Sequence, residues 1–308
     1  MPTKKQIIAR ERQALMELMQ DIPLRSIDEN VLIASWNIAQ FTNKKKKRAL
    51  QYIADICERF DIIAIQELKT DLRGLARLLE LLPGNYKLLV SAPTGNWERM
   101  AFLYDKRTVV STGLVCEIAF SGTISDPVSF QFNRSPYCVS FRAGRFDFTI
   151  VSVHIAEGSS HGATGKALRE KEIKELVAFL KKRAGQDKGK VFDPDFFVVG
   201  DFNIEKDGDR FFEALTGGEE PNFTMPEGMN KLGTNFKQTK TFDKIAWLPS
   251  NEFEFTGKFG VIPFGKVLYK ETGQPKNAAR KEISDHLPLW AEFRVTELEN
   301  ELDQIINT

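Results

Sequence analysis

A chain of 308 residues with 42% hydrophobic and 28% charged residues has the composition of a globular protein that can bury a sizeable core. Its formal net charge of +1 excludes a bulk electrostatic attraction to polyanions, so any such affinity requires a local basic patch or bound metal ions. The three cysteines are too few for a disulfide framework, and we interpret them as small buried hydrophobic residues.

Nothing in the sequence indicates export or membrane insertion. The N-terminal segment lacks the uninterrupted apolar stretch of a secretion signal. No run of about 18 apolar residues predicts a spanning helix. We therefore expect a cytoplasmic protein with no membrane span, and the sequence points to no protein partner.

Residues 1–22 are predicted to form an amphipathic helix ahead of the main domain. Thr3 and Gln6 have the spacing of a capping box, and apolar residues then recur at helical intervals as far as residue 20. The main domain is predicted over 28–296, followed by a polar tail over 297–308. No break in composition divides that domain further.

Apolar runs alternate with helical patterns in the first part of the domain. Strands are predicted at 31–36 and 61–66, and helices at 45–60 and 71–82. Because parallel strands need a long crossover connection, this strand–helix–strand–helix order indicates βαβ units and parallel pairing.

Residues 99–150 carry close-spaced short strands instead. They are predicted at 101–104, 109–118, 137–142 and 146–154, and we interpret them as antiparallel hairpins. Beyond them, the pattern predicts a helix at 166–182, a strand at 196–201, a long loop at 215–240 and strands at 244–248 and 287–295. Together these elements indicate a mixed α/β domain with two sheets and helices outside.

Polar side chains stand where the predicted strands end or begin. Those that follow an apolar strand are Asn37, Glu67, His154, Asp201 and Asn203, and those that precede the final strand are Asp285 and His286. Any one of them could be a helix cap or a turn residue. As a set they match phosphoester hydrolysis, which needs oxygen ligands for Mg²⁺, a base for water, an acid near the leaving oxygen and donors for the developing charge. Ligands of open α/β sheets bind outside the carboxyl ends of the parallel strands, where this set would gather.

Seven short motifs follow one another in the order found in the deoxyribonuclease I-like endonuclease/exonuclease/phosphatase superfamily, which the chain resembles over residues 30–295. They are Trp36-Asn37, Gln66-Glu67, Trp97-Glu98-Arg99, Val153-His154, Gly200-Asp201-Phe202-Asn203, Phe242-Asp243-Lys244-Ile245 and Ser284-Asp285-His286-Leu287-Pro288. Each is too short to be specific alone, whereas all seven in order are a strong signal. The resemblance implies a four-layered α/β sandwich, with two mixed β-sheets packed face to face and helices on the outside.

The resemblance also implies how the polar residues divide the chemistry. Glu67 is expected to be the principal Mg²⁺ ligand, with Asn37 beside it, Asp285 near the metal and Mn²⁺ able to substitute. Asp201 is expected to hold or polarise the attacking water or a second metal. Asn203 is expected to donate a hydrogen bond to a phosphate oxygen.

Two imidazole–carboxylate pairs complete the implied machinery. His286 resembles the general base and Asp243 the carboxylate that orients it. His154 resembles the second catalytic imidazole, oriented by Glu98, on the leaving-group side. A carboxylate behind each ring fixes its tautomer and favours the protonated form as charge develops.

The segment 91–99 and two cations resemble the deoxyribonuclease I branch of this superfamily more than its other branches. Arg134 lies in Arg-Ser-Pro-Tyr, which resembles a turn whose Arg contacts the scissile phosphate, and Lys69 stands where the nuclease has an Arg that enters the minor groove. Trp97 is expected to stack on a base, with packing at the rim as the alternative. We therefore expect a Mg²⁺-dependent endonuclease of the deoxyribonuclease I type, with nucleic acid, DNA first, as its substrate.

Other functions stay open. A phosphatase or phosphodiesterase acting on a small or lipid phosphoester, such as a nucleotide, phosphoinositide or sphingomyelin, would use the same residues in a more closed pocket. A catalytically inactive binding module is a third possibility, which the retention of every catalytic residue opposes. The basic run Lys44–Arg48 is either a solvated face or a grip on a phosphate backbone.

Overall fold

The structure, a computed structural model, describes residues 2–120, 130–157, 162–186, 195–206, 208–217, 222–249, 254–271, 274–275 and 277–295. The α-helices in these ranges are α1 (Lys4–Leu18), α2 (Lys47–Cys57), α3 (Arg73–Leu79), α4 (Gly162–Gln186), α5 (Arg210–Thr216) and α6 (Ala278–Glu282). The strands are β1 (Asn30–Phe41), β2 (Ile62–Lys69), β3 (Tyr86–Val90), β4 (Glu98–Asp105), β5 (Val109–Glu117), β6 (Tyr137–Ala143), β7 (Phe146–His154), β8 (Phe196–Asp201), β9 (Asp243–Trp247), β10 (Glu254–Val261) and β11 (Leu289–Arg294).

The strands form two mixed sheets. The six-stranded sheet has the order β10–β11–β1–β2–β4–β3, and the five-stranded sheet has the order β5–β6–β7–β8–β9. The pair β1 and β2 and the pair β7 and β8 run parallel, while the neighbouring strands beside them are antiparallel. The mixed α/β class with two sheets, predicted from the sequence, is confirmed.

The two sheets pack face to face through one apolar core. Val31 and Ile33 of β1 share this core with Phe148 and Phe197 of the other sheet. Because side chains alternate along a strand, Leu32 lies in a second core that the six-stranded sheet shares with α1, α2 and α3. A third core joins the outer face of the five-stranded sheet to α4 and α5. The resulting order of layers is helix, sheet, sheet, helix.

The carboxyl ends of the two parallel pairs meet at one edge of the sandwich. Asn37 is opposite Gln66 near the end of β1 and β2, and His154 is opposite Asp201 at the end of β7 and β8. A hydrogen bond of 3.1 Å from Asn37 Nδ2 to Asp201 Oδ2 joins these ends across the two sheets. This edge therefore collects side chains from both sheets.

The prediction that the strands within 99–150 form successive hairpins was wrong for the first two. β4 pairs with β2 and β3, whereas β5 pairs with β6 in the other sheet. β4 is nearly continuously buried, as a central strand must be, so it stays between two partners. The chain turns at Asp105, whose Oδ1 accepts the backbone N–H of Arg107 at 3.0 Å, and crosses to the other sheet.

Four elements were not predicted: β3, β10 and the short helices α5 and α6. β10 contains two glycines and is partly exposed throughout, so it lacks the apolar alternation that identifies a strand. Asp209 is the N-cap of α5, and its carboxylate accepts the backbone N–H groups of Phe211 and Phe212. This N-cap is a signal in the sequence that our prediction missed.

The N-terminal helix α1 packs on the domain. Its capping box is present, because Thr3 and Gln6 exchange side-chain and backbone hydrogen bonds at 2.8 and 3.3 Å. Leu15 and Met19 are buried in the core that lies against the six-stranded sheet. The boundaries at 22, 28 and 296 stay predictions, and the predicted polar tail, 297–308, lies outside the described residues.

The cysteines are free thiols, and the predicted burial is confirmed for Cys57 and Cys138 but was wrong for Cys116, which lies on the partly exposed strand β5. Cys57 and Cys138 are buried, and the half-buried Cys116 of β5 stands opposite Cys138 of β6. No helix in the described part of the chain is long and apolar enough to cross a membrane.

Candidate active site

Asn37 ties the two sheets together at the centre of the site. Its Nδ2 donates to Glu67 Oε1 at 2.9 Å and to Asp201 Oδ2 at 3.1 Å. Glu67 adopts a left-handed backbone conformation with φ of 62°, and its Oε2 accepts the backbone N–H of Gln40 at 2.9 Å. Because an ordinary side chain reaches this conformation only at a cost, the surrounding contacts must hold Glu67 in place.

Both imidazoles converge on Asp201. His286 Nδ1 lies 2.9 Å from Asp243 Oδ2, and His154 Nδ1 lies 3.1 Å from Glu98 Oε2. The first contact is a hydrogen bond, and the second has the distance of an ion pair without the alignment of a hydrogen bond. Each ring then places its Nε2 atom 3.7 Å from Asp201 Oδ2. One buried carboxylate thus faces two imidazoles, each backed by another carboxylate.

Strand register explains how these residues meet. Asp201 at the end of β8 is opposite His154 of β7 on one side and Asp243 of β9 on the other. The close approach requires Gly200, where a Cβ atom would lie 2.1 Å from the Val153 carbonyl oxygen and where φ is +135°. No other residue fits there without displacing the backbone of β7.

Burial and neighbouring charge set the protonation of this group. Burial lowers the pKa of His286, but the carboxylates of Asp243, Asp201 and Asp285 outweigh it and raise that pKa to about 10. Burial raises the pKa of Asp201, and the two imidazoles more than offset this, so that it is lowered. The pKa of Asp243 is raised by its burial. His286 is therefore protonated at neutral pH unless a cation on the same carboxylates cancels their influence.

Glu98 contacts two cations and one imidazole. Its Oε1 accepts from Lys69 Nζ at 2.9 Å and its Oε2 from Arg134 Nε at 2.6 Å, with His154 at 3.1 Å. Burial raises the pKa of Glu98, but these partners outweigh it and lower the pKa to about 2. Lys69 and Arg134, both predicted to bind substrate, are thus held against the carboxylate that lies beside His154.

The other predicted residues lie around this centre. The side-chain amide of Asn203 donates to the Ile155 carbonyl at 2.9 Å, and its backbone N–H donates to Asp201 Oδ1 at 2.9 Å. The carboxylate of Asp285, 40% exposed, pairs with Arg280 at 3.2 Å. Trp97 is 73% exposed, so its ring is available at the rim.

The donor set fits a divalent cation. Asn37 is fully buried, yet its Oδ1 has no hydrogen-bond partner among the described residues. A buried acceptor without a partner costs free energy that a cation would recover. Ligand atoms of Asp201, Asp243 and His286 lie within 4.8 Å of one another and form a second group able to hold a metal. Carboxylate and amide oxygens favour Mg²⁺ or Mn²⁺. The predicted ligand set of Glu67, Asn37 and Asp285 stays a prediction.

The sequence analysis did not identify the residues whose hydrogen bonds hold the backbone of the site in place. Ser284 Oγ donates to the Asn37 carbonyl at 2.6 Å and accepts the His286 backbone N–H at 3.0 Å. Trp36 Nε1 donates to the His286 carbonyl at 2.9 Å, and the buried Arg169 donates to the Asn203 carbonyl at 2.7 Å. Ser284 and Trp36 belong to the conspicuous motifs, whereas nothing near Arg169 in the sequence signals its role.

Solved structures similar to this one include proteins with different substrates. Truncated TDP2 of Caenorhabditis elegans has a TM-score of 0.59 and 18% identity, covering 86% of this chain and 97% of its own. A mannosyl-6-phosphatase of Bacteroides thetaiotaomicron has a TM-score of 0.57 and 18% identity, covering 85% and 99%. ANGEL2, a 2′,3′-cyclic phosphatase, has a TM-score of 0.53 and 15% identity, covering 90% and 99%. At these identities the similarity establishes the fold alone.

The sequence itself points to one family. No curated protein sequence matches the chain significantly. Residues 34–286 match the sequence profile of the Endonuclease/Exonuclease/phosphatase family. This match begins within β1, ends at His286 and contains each residue of the site described above. Because it spans most of the chain, the protein belongs to the Endonuclease/Exonuclease/phosphatase family.

Proposed function

We propose that this protein is a divalent-metal-dependent phosphodiesterase of the deoxyribonuclease I type, which nicks DNA by in-line attack of water. The observation that carries the proposal is the convergence of two carboxylate-backed imidazoles on Asp201, each with its Nε2 atom 3.7 Å away. Hydrolysis of a phosphoester needs one group near the attacking water and another near the leaving oxygen. The family consists of hydrolases that act on phosphoester bonds. The hydrolysis of a phosphoester therefore follows from the family, whereas DNA as the substrate is our proposal.

The carboxylates next to the imidazoles would hold the metal. Glu67 and Asn37 supply adjoining oxygen donors, with Asp201 one hydrogen bond away from Asn37. A divalent cation bound there would polarise the scissile phosphoryl group and offset its developing charge. The unpaired Oδ1 of Asn37 supports this assignment.

The proton transfers fall to the two imidazoles. His286, oriented by Asp243 at 2.9 Å, would take a proton from the attacking water once the influence of Asp201 is neutralised. His154, held beside Glu98, would serve the leaving oxygen. Asn203 would donate to a phosphate oxygen, exchanging its present bond to the Ile155 carbonyl.

A phosphatase on a small phosphoester is the second candidate. It is favoured by the pairing of Lys69 and Arg134 with Glu98, because cations held in this way are less available to a DNA backbone. The exposed Trp97 at the rim supports the nuclease, since base stacking needs an accessible ring.

The test is nicking of supercoiled plasmid in the presence of Mg²⁺ or Mn²⁺. EDTA and the His286→Ala variant serve as negative controls, and Lys258→Ala, on the exposed strand β10, serves as a matched substitution away from the site. We expect nicking that needs the metal, disappears in His286→Ala and persists in Lys258→Ala.

Other outcomes have distinct meanings. Absence of nicking by folded protein that hydrolyses a phosphomonoester in a His286-dependent manner would replace the nuclease with the phosphatase. Undiminished nicking by His286→Ala would contradict the assigned site itself.

A further inference from the structure

A cavity of about 420 Å³ lies beside the catalytic centre. One wall comes from the end of β1 and the turn after it, including Gln40, Lys44 and Lys45, and the other comes from α6 and the residues after it, including Arg280, Lys281 and Asp285. More than 230 positions separate these walls in the chain, so the cavity exists only in the folded protein. We call it the flanking cavity.

The flanking cavity adjoins the proposed metal ligands, one of which, Asp285, lines it. The backbone N–H of Gln40, in its wall, donates to Glu67 Oε2 at 2.9 Å. Asp285, in the opposite wall, immediately precedes His286. A group bound in the cavity would therefore sit next to a phosphoester bound at the catalytic centre.

Cations outnumber carboxylates in its lining. Lys44, Lys45, Arg280 and Lys281 face Glu282 and Asp285, which leaves two positive charges in excess. Asp285 is paired with Arg280, and Glu282 is paired with Lys46. Of the lining cations, Lys44, Lys45 and Lys281 form no ion pair with any residue that the structure describes.

Lys45 is the most constrained of these cations. Its Nζ donates to the Ala39 carbonyl at 3.1 Å and to the Ile283 carbonyl, so that it joins the two walls. Burial lowers its pKa to about 8, against the opposing influence of Glu67, Asp285 and Glu282. A half-buried ammonium without a carboxylate partner gains from an anion placed beside it.

The basic run Lys44–Arg48 thus divides into two functions. Arg48 pairs with Glu11 and Glu271, and Lys46 pairs with Glu282, so these two side chains serve structural contacts. Lys44 and Lys45 instead line the flanking cavity. Of this run, only Lys44 and Lys45 line the cavity, whereas the exposed Lys47 belongs to neither group.

We infer, on the basis of the proposed hydrolase activity, that the flanking cavity binds a second phosphate group of the substrate, the one next to the scissile phosphoester in a nucleotide chain. Lys44, Lys45 and Lys281 supply the charge, and the adjoining Gln40 fixes the distance to Glu67. The cavity therefore selects substrates that carry two phosphates over those that carry one.

The test compares two chromogenic esters that differ by one phosphate. Both are p-nitrophenyl esters of thymidine 5′-phosphate, one with a free 3′-hydroxyl and one with a 3′-phosphate. The wild-type protein is expected to prefer the second by about tenfold in kcat/KM, the effect of one charge-assisted contact. The double substitution Lys44→Gln with Lys281→Gln should bring the ratio close to one, mainly through KM.

A matched control separates local recognition from bulk charge. Lys87→Gln with Lys106→Gln removes two exposed lysines outside the cavity and changes the net charge equally. The preference should survive in this control. An equal loss of preference in both double variants, or no preference in the wild type, overturns the inference.

Binding gives a readout that does not need turnover. Thymidine 3′,5′-bisphosphate should bind the wild type about tenfold more tightly than thymidine 5′-phosphate by calorimetry, and the Lys44→Gln, Lys281→Gln variant should lose that difference. Hydrolysis without any two-phosphate preference contradicts the cavity assignment alone. A two-phosphate binding preference without hydrolysis of any phosphoester contradicts the proposed function and leaves the cavity assignment standing.

Discussion

Two clusters of charge, one beside the six-stranded sheet and one at the edge where both sheets meet, are built on opposite principles. The helix anchor consists of Glu11, Arg48, Tyr52 and Glu271 and holds α1 against the domain. Arg48 donates to both carboxylate oxygens of Glu271 at 2.6 and 2.7 Å and also to Glu11, which accepts from Tyr52 as well. Its charged and polar atoms satisfy one another.

The candidate active site leaves some of its hydrogen-bonding atoms without a partner. We call its residues Asn37, His154, Asp201, Asp243 and His286 the catalytic cluster, after their proposed role. Asn37 Oδ1 and Asp243 Oδ1 are buried without a hydrogen-bond partner in the described part of the chain, and His154 Nδ1 faces Glu98 Oε2 at 3.1 Å without the alignment of a hydrogen bond. No atom of the helix anchor is in that condition. Unsatisfied buried polar atoms reduce stability, and a cation bound beside Asn37 and Asp243 would recover part of that free energy. The comparison separates charge that holds the fold from charge to which we assign, as a proposal, the binding of a metal and a substrate.

The largest expected effect comes from removing an imidazole of the catalytic cluster. His154→Ala and His286→Ala are each expected to lower kcat by roughly 10²–10⁴-fold, because a positioned acid or base is lost. The free energy of unfolding, measured by urea titration, should change far less than the rate. Near-normal turnover in both variants would contradict the roles assigned to the two rings.

The helix anchor should show the reverse behaviour. Arg48→Met leaves the carboxylates of Glu11 and Glu271 without their cation and is expected to lower the free energy of unfolding by about 3 kcal/mol or more. The kcat of the folded fraction should be unchanged. Arg294→Met, which breaks an exposed pair with Glu254, is the matched control and should cost at most about 0.5 kcal/mol. If the free energy of unfolding fell equally in the two variants, the helix anchor would contribute no more to stability than an exposed ion pair.

A smaller, pH-dependent effect tests Glu98, which belongs to the candidate site but is also held in ion pairs with Lys69 and Arg134. Because its pKa is lowered from 4.5 to about 2, the stability it contributes is fully present above pH 4.5 and is lost as the pH falls toward 2. Glu98→Gln should therefore be less stable than the wild type at about pH 7, with the difference shrinking at about pH 3.

Urea titrations at both pH values measure this difference. Glu254→Gln, in the exposed pair with Arg294, provides the control and should have little effect at either pH. A stability difference between Glu98→Gln and the wild type that stays constant from neutral to acid pH would mean that the charge of Glu98 is not what stabilises the fold.

The strand-end residues were predictable because the signal is local. Asn37, Glu67, His154 and Asp201 each stand at the end of an apolar run, and the order of the runs indicated parallel pairs whose ends coincide. The structure does bring these side chains together, with Asn37 bonded to both Glu67 and Asp201. Their catalytic and metal-binding roles stay predictions.

Pairing between distant segments was not predictable in the same way. The consecutive strands β4 and β5 lie in different sheets, because β4 pairs with β2 and β5 pairs with β6. Residues 99–117 do not by themselves encode these pairing partners. The ion pairs of Glu98 with Lys69 and Arg134 likewise join three distant segments of the chain. Sequence reasoning assigned both cations to the substrate because it saw each of them alone.

The sequence by itself thus determined the α/β class, the strand-end polar residues and the family they identify, because each depends on a short stretch of residues or on the order of such stretches. Only the tertiary structure decided which cations are free to meet a substrate. Lys69, Arg134 and Arg48 are paired, whereas Lys44, Lys45 and Lys281 converge on one cavity. A cation is available to a substrate only when folding places no carboxylate against it, and such carboxylates come from parts of the chain that no local pattern connects.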